Sequence, residues 1–384
     1  LNIDALKQAS ARDLRRATTR RIKSLINPQR YQPLPPQPEV PNTKYRLIIG
    51  PANFAGQGFA WARAAERAIP DLYAEALTRE VGTFNFPTDD SVSPFRYQFT
   101  KWQVQQDLRI KSKFSHALIE AGRPITSSLH GRSISGEVAS FANAGISCAV
   151  VSHGSDSRIP SHHIAKYPHS PFLDAPADVV ATLENRAKIL VEAYSKLKIP
   201  TFVSTPDLID DLPNGIWLPV VVDQAKWKNT YLAKAGKITV LYAPSKSWMK
   251  GGPKVDEILQ SLSEQGIIEY IRIDSVPADD MPRLVKSADV VIDQFALGAY
   301  GATAVQAMAA GKVVVGHVAP WVRERIPSAV PIVEATVDQL EEAILKLTKD
   351  ESLRRELGIQ GEKFVTEFHN GTYSGSVLHT WICA

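Results

Sequence analysis

The chain has 384 residues, 44% of them hydrophobic and 22% charged, with a formal net charge of +4 and two cysteines. At roughly 150 residues per domain this length predicts two domains, and the balance of residues excludes a disordered chain, a collagen-like repeat and a disulfide-held mini-scaffold. No apolar run approaches the roughly 18 residues that span a bilayer, and two cysteines with no secretory leader point to a reducing cytoplasmic compartment.

The positive charge is concentrated at the start. Residues 1–30 carry Lys7, Arg12, Arg15, Arg16, Arg20, Arg21, Lys23 and Arg30 against Asp4 and Asp13, whereas the remainder is slightly acidic. Apolar residues at Ile3, Leu6, Leu14, Ala17, Ile22, Leu25 and Ile26 have helical spacing. A basic amphipathic helix of this kind suits an anionic membrane surface, and equally a face packed on the body or on a partner. Nucleic acid is not expected, because the basic residues are not interleaved with aromatic ones. Prolines 28, 33, 35, 36, 38 and 41 then predict a stiff extended linker. The expected boundaries are a tail and linker over 1–41, a first domain over 42–222, a second over 237–366, and a last helix over 367–384 that returns to the first domain.

From Tyr45 onward, short apolar runs alternate with longer segments of helical period. Strands are predicted at 46–50, 74–80, 114–120, 148–154 and 200–206, then at 238–244, 268–274, 289–295, 313–318 and 331–335. Helical spacing covers 178–197, 253–266, 338–366 and 374–382. Continuous apolar strands alternating with helices predict an α/β chain with parallel sheets covered on both faces. A polar stretch near 221–237 separates two such series, so two Rossmann-like domains facing a cleft are expected, with ligands at the carboxyl ends of the strands.

Four turns at such strand ends are candidates for chemistry. In GPANFAGQG (50–58), Gly56 and Gly58 would let backbone amides approach a sugar or phosphate; the alternative is a tight structural turn. In HGSDSR (153–158), His153 would offer a hydrogen bond to a sugar or phosphate and Asp156 would accept from a hydroxyl. The alternative there is a loop histidine with an aspartate turn. His162, His163 and His169 follow without carboxylate or cysteine partners in a ligand pattern, so no metal is expected. In YAPSKSWMKGG (242–252), Ser245, Lys246, Lys250 and Gly251 stand where a helix begins, which suits a diphosphate; the order is not that of a Walker loop. In LGAYGATAVQAMAAGK (297–312), Gly298, Ala299, Tyr300 and Gly301 form a turn with free backbone donors, ahead of a helix of small residues.

Over residues 45–380 these pieces together resemble the GT-B nucleotide-sugar glycosyltransferases, nearest to the large retaining family four. The resemblance implies a nucleotide diphosphate sugar as donor substrate, no cofactor and no metal. It also implies His153 at the donor sugar, Lys250 at the diphosphate, Gln306 at the ribose, and a glycan or glycolipid acceptor of the bacterial surface. This sequence departs from the family at two glutamates, replaced by Gly298 and Gln306, and at a basic residue replaced by Pro244, for which Lys246 would substitute. Asp293 and Gln294 before the glycine turn match a bacterial surface-polysaccharide subgroup. A non-catalytic sugar-nucleotide-binding or scaffold protein and a GT-B sugar-nucleotide epimerase are the alternatives.

Overall fold

The computed structural model describes residues 33–80, 85–228, 237–244, 252–274 and 276–384. The predicted basic tail, and the loop bearing Ser245, Lys246, Lys250 and Gly251, lie outside the described residues.

The first half runs β1 (Tyr45–Gly50), α1 (Gln57–Ala68), β2 (Leu72–Arg79), β3 (Asp90–Val92), α2 (Thr100–Lys113), β4 (His116–Glu120), α3 (Ile134–Asn143), β5 (Ser147–Ser152), α4 (Pro160–Lys166), α5 (Ala177–Leu197), β6 (Thr201–Val203) and β7 (Ile216–Trp217). Its seven strands form one parallel sheet in the order β3-β2-β1-β4-β5-β6-β7. Leu47, Ile48 and Ile49 are fully buried because helices cover both faces. Ile48 belongs to one core layer, with Ile119, Phe141 and Val150, and Ile49 to the other, with Trp61, Leu118 and Val151.

The second half runs α6 (Gln224–Trp227), β8 (Thr239–Tyr242), α7 (Gly252–Glu264), β9 (Glu269–Arg272), α8 (Met281–Ser287), β10 (Val290–Ile292), α9 (Ala302–Ala309), β11 (Val313–Gly316), α10 (Pro320–Arg323), β12 (Val333–Glu334), α11 (Leu340–Lys349), α12 (Glu351–Phe368) and α13 (Thr372–Ile382). Its five strands are again parallel, in the order β12-β11-β10-β8-β9. The small residues of α9 admit close packing. A Cβ on Gly361 of α12 would stand 3.2 Å from that of Met308.

Every predicted strand is present, though most are shorter than their apolar runs. The short strands β3 and β7 are additions that the apolar pattern did not show. The predicted helix at 338–366 is two helices, broken at Asp350, whose side chain accepts from Leu353 N at 2.8 Å and caps α12. The last helix, α13, packs on α1, where Gly375 lies so close to Ala64 and Ala68 that a Cβ would meet them within 2.8 Å. Leu378, Trp381 and Ile382 thereby complete the core of the first half. Among the described residues no helix is long and apolar enough to cross a membrane.

Both strand orders reverse direction once, between β1 and β4 in the first sheet and between β8 and β10 in the second. A parallel sheet opens a crevice beyond its strand ends at such a point. Topology alone therefore marks residues 50–58 with 120–128, and the end of β8 with 293–301.

Candidate active site

In the first crevice the organising group is Glu120, the last residue of β4 and wholly buried. Its Oε2 accepts from Ala52 N at 2.9 Å and Asn53 N at 2.8 Å, and its Oε1 meets His153 Nε2 at 3.1 Å. Asn53 Oδ1 accepts from Phe59 N at 3.1 Å, and Gly56 N donates to Asn53 O. A Cβ on Gly58 would crowd Asn53 Oδ1 and both Glu120 oxygens at 3.3 Å, while Gly56 has φ +74°. These glycines are needed to fold the turn around a carboxylate. The turn thus has the tight structural role given as the alternative: Gly56 N, like the amides of Ala52, Asn53 and Phe59, has its partner within the protein.

His153 stands at the strand end as expected, but its ring is packed against Phe54 and Trp61, at 5.3 and 5.4 Å between centroids, and only 9% of the side chain is exposed. With Nε2 turned to Glu120, it reaches a donor sugar only if that bond yields. Asp156 forms the aspartate turn given as the alternative. Its Oδ1 accepts from His153 N at 3.0 Å and Gly154 N at 2.7 Å, and its Oδ2 from Ser152 Oγ at 2.8 Å. Its capacity is taken up in shaping the 152–156 loop.

In the second crevice Asp293 and Gln294 build the glycine turn. Asp293 Oδ2 accepts from Gly301 N at 2.8 Å, and Gln294 Nε2 donates to Ala299 O. Gly298, at φ +65°, is buried beneath Tyr167 from the first domain, and a Cβ there would lie 3.1 Å from Ala319 Cβ and 3.5 Å from Tyr167 Cζ. The side chains of Ala299 and Tyr300 belong to the core, so only their backbone groups could serve as the expected donors. The Tyr300 hydroxyl meets His369 Nε2 at 3.1 Å, deep in the second domain. Gln306 is half-buried on α9, and no other described residue hydrogen-bonds its side chain.

The domains touch across the cleft through groups the sequence did not reveal. Tyr167 OH donates to Phe295 O at 2.9 Å, and its ring stacks on His317 at 5.3 Å. His163 Nε2 meets Leu297 O at 3.3 Å; burial lowers this imidazole to about 4, so it is neutral near pH 7 and donates from Nε2. Arg325 donates to Pro206 O at 3.0 Å and to Asp210 at 2.6 Å. Beside these contacts lies a cavity of about 270 Å³, lined by Arg158, His162, Asp207, Leu297 and Trp321 among others. Among the described residues no cluster could hold a metal ion. Glu120 had one faint signal, a charge ending an apolar strand, whereas Tyr167 had none.

Residues 224–364 match the family model of the glycosyl transferases group 1, a span containing both motifs of the second crevice. The chain has the GT-B fold. HepE from Anabaena, solved in complex with UDP and glucose, superposes with a TM-score of 0.55 at 12% identity, covering 88% of this chain and 98% of HepE. Sucrose-phosphate synthase from Thermosynechococcus elongatus gives 0.53 at 12% identity over 88% and 98%. A Listeria monocytogenes protein assigned as a UDP-N-acetylglucosamine 2-epimerase gives 0.52 at 11% over 88% and 95%. At these identities the likeness is one of GT-B architecture, which transferases and that protein share. No curated protein matches the sequence.

Proposed function

We propose that this GT-B chain transfers a sugar from a nucleotide diphosphate sugar to a glycan or glycolipid acceptor in bacterial surface-polysaccharide synthesis, with retention of configuration, as a family-four-like enzyme. The observation that carries the reading is the position of the group 1 match. It falls on the domain whose strand order reverses between β8 and β10, and it contains both glycine-bearing segments that follow those two strands in the sequence. HepE holds UDP and glucose on the same architecture, which supports a nucleotide-sugar donor.

In this scheme the departing diphosphate gains negative charge as the sugar becomes oxocarbenium-like. Ser245, Lys246, Lys250 and Gly251 would stabilise that charge at the start of α7, and the cationic lysines make a divalent metal unnecessary. Gln306 would take the ribose hydroxyls. His153 would face the sugar from the first domain once it exchanges Glu120 for a substrate oxygen. The basic tail would hold the protein peripherally on the cytoplasmic membrane face, so deleting residues 1–40 should abolish salt-sensitive binding to anionic liposomes.

The replacement of two glutamates by Gly298 and Gln306 favours a second reading, a binding protein without turnover. Epimerase chemistry has less support, because the cleft carboxylates of Glu120, Asp156 and Asp293 each accept backbone N–H groups. The deciding experiment measures nucleoside diphosphate release across a panel of nucleotide sugars, with and without acceptors. Release from at least one donor is expected. Tight binding of nucleotide sugars without any release would establish the binding protein instead.

A further inference from the structure

Arg79 is the last residue of β2, and Arg123 follows β4, so the two flank β1 and the turn that leaves it. Both are half-buried. The guanidinium of Arg79 lies 5.5 Å from the centre of the Tyr97 ring, and that of Arg123 lies 4.8 Å from the centre of Phe54. Phe54 in turn meets the edge of the His153 ring. Among the described residues neither arginine forms an ion pair, nor does Arg186 on α5, and Arg79 Nε is buried without a hydrogen-bond partner.

The neighbouring cations also act on Arg123. Burial first, then Arg79 and Arg186, hold Arg123 below its ordinary value. Asp156, bonded to its own loop, offsets only part of this, and Glu120 is bonded to the turn amides and His153. Half-buried like charges that form no ion pair destabilise a fold, and such arrangements cluster at functional sites. A guanidinium held over a ring still has N–H groups for a forked contact with phosphate or carboxylate. The place is the first crevice, where the strand order predicts a ligand.

We infer that Arg79 and Arg123, with Arg186 at the rim, form an anion subsite that receives a phosphate or carboxylate group of the acceptor. Naming that ligand an acceptor rests on the transferase reading; the anion site itself does not.

The test titrates the full chain with inorganic pyrophosphate, glucose 1-phosphate and glucuronate, with methyl glucoside as the neutral counterpart. At least one anionic probe should bind more tightly than methyl glucoside. Its affinity should fall tenfold or more in Arg79→Gln and in Arg123→Gln, and stay within about threefold in Arg123→Lys. Without ligand, Arg123→Gln should melt at or above the wild-type temperature, because a repulsive charge is gone. Preference for the phosphate probes or for glucuronate identifies the source of the anion. Anionic probes that bind no better than methyl glucoside would overturn the inference. So would weakening in Lys250→Ala with both arginine variants unaffected, or a ligand-free Arg123→Gln that melts several degrees lower. None of these readouts needs turnover, so failure of the transferase reading would be seen separately, as absent nucleoside diphosphate release.

Discussion

Glu120 shows how one side chain organises the first crevice. Its two oxygens hold the amides of Ala52 and Asn53 and the ring of His153, all in a buried setting. In Glu120→Gln an amide NH2 would face one of these donors. Loss of a buried bond to a charged acceptor costs about 1.5–3 kcal/mol, so urea denaturation should show a loss of that size. His369 is the second such residue. Val220 O can only accept, so Nδ1 carries the hydrogen in that 2.7 Å bond, and Nε2 accepts from Tyr300. Burial lowers this imidazole from 6.5 to about 4. Between those values the unfolded chain binds a proton that the folded one refuses, so stability falls as the pH drops from about 6.5 towards 4 and then levels. The loss amounts to about 3 kcal/mol for this group at 1.36 kcal/mol per unit. His116 and His163 are lowered in the same direction and act with the same sign. The gap between urea midpoints at pH 7.5 and 4.5 should therefore narrow in His369→Gln without closing.

The element that most separates this chain from its family resemblance is the turn from β10 to α9. The resemblance puts a glutamate at 298, yet Gly298 has φ +65° and lies against Ala319 and Tyr167. A side chain in that conformation costs about 1–2 kcal/mol before any clash. Gly298→Glu is therefore expected to lower the melting temperature and reduce nucleoside diphosphate release rather than restore a family contact. Equal melting temperature and equal release in the variant and the native chain would show that the turn admits a side chain at no cost. The Asp293–Gln294 pair was visible as a motif, but its work is not written in the motif. Only the folded turn shows Asp293 on Gly301 N and Gln294 on Ala299 O.

At the scale of the whole molecule, the closed arrangement depends on a few polar contacts. Tyr167 and His163 reach from the first domain to carbonyls of the glycine turn, and Arg325 reaches back to Pro206 O and Asp210. The partly exposed Arg325–Asp210 ion pair contributes about 0–1 kcal/mol and is screened by salt. Arg325→Ala should give a larger radius of gyration by small-angle scattering. Its donor KM should rise severalfold while kcat changes little, because the residue touches no reacting group. Raising the ionic strength of the native protein should move both quantities the same way.

The sequence by itself determined the α/β class, the parallel sheets and the strand ends, with the turns that follow them. Those properties follow from patterns a few residues long: apolar runs, helical spacing and glycines after strands. It missed β3 and β7, which are two or three residues long and leave no run to see. Only the tertiary structure decided which way each side chain in those turns faces. Tyr300 lies in a turn that reads as a ligand mouth, yet its ring belongs to the core beside His369, because α12 and the last crossing of the chain fold over it. Glu120 and His153 are 33 residues apart, and Tyr167 and Phe295 are 128 apart. Whether such pairs meet depends on strand order and domain closure, and no local pattern of residues encodes either.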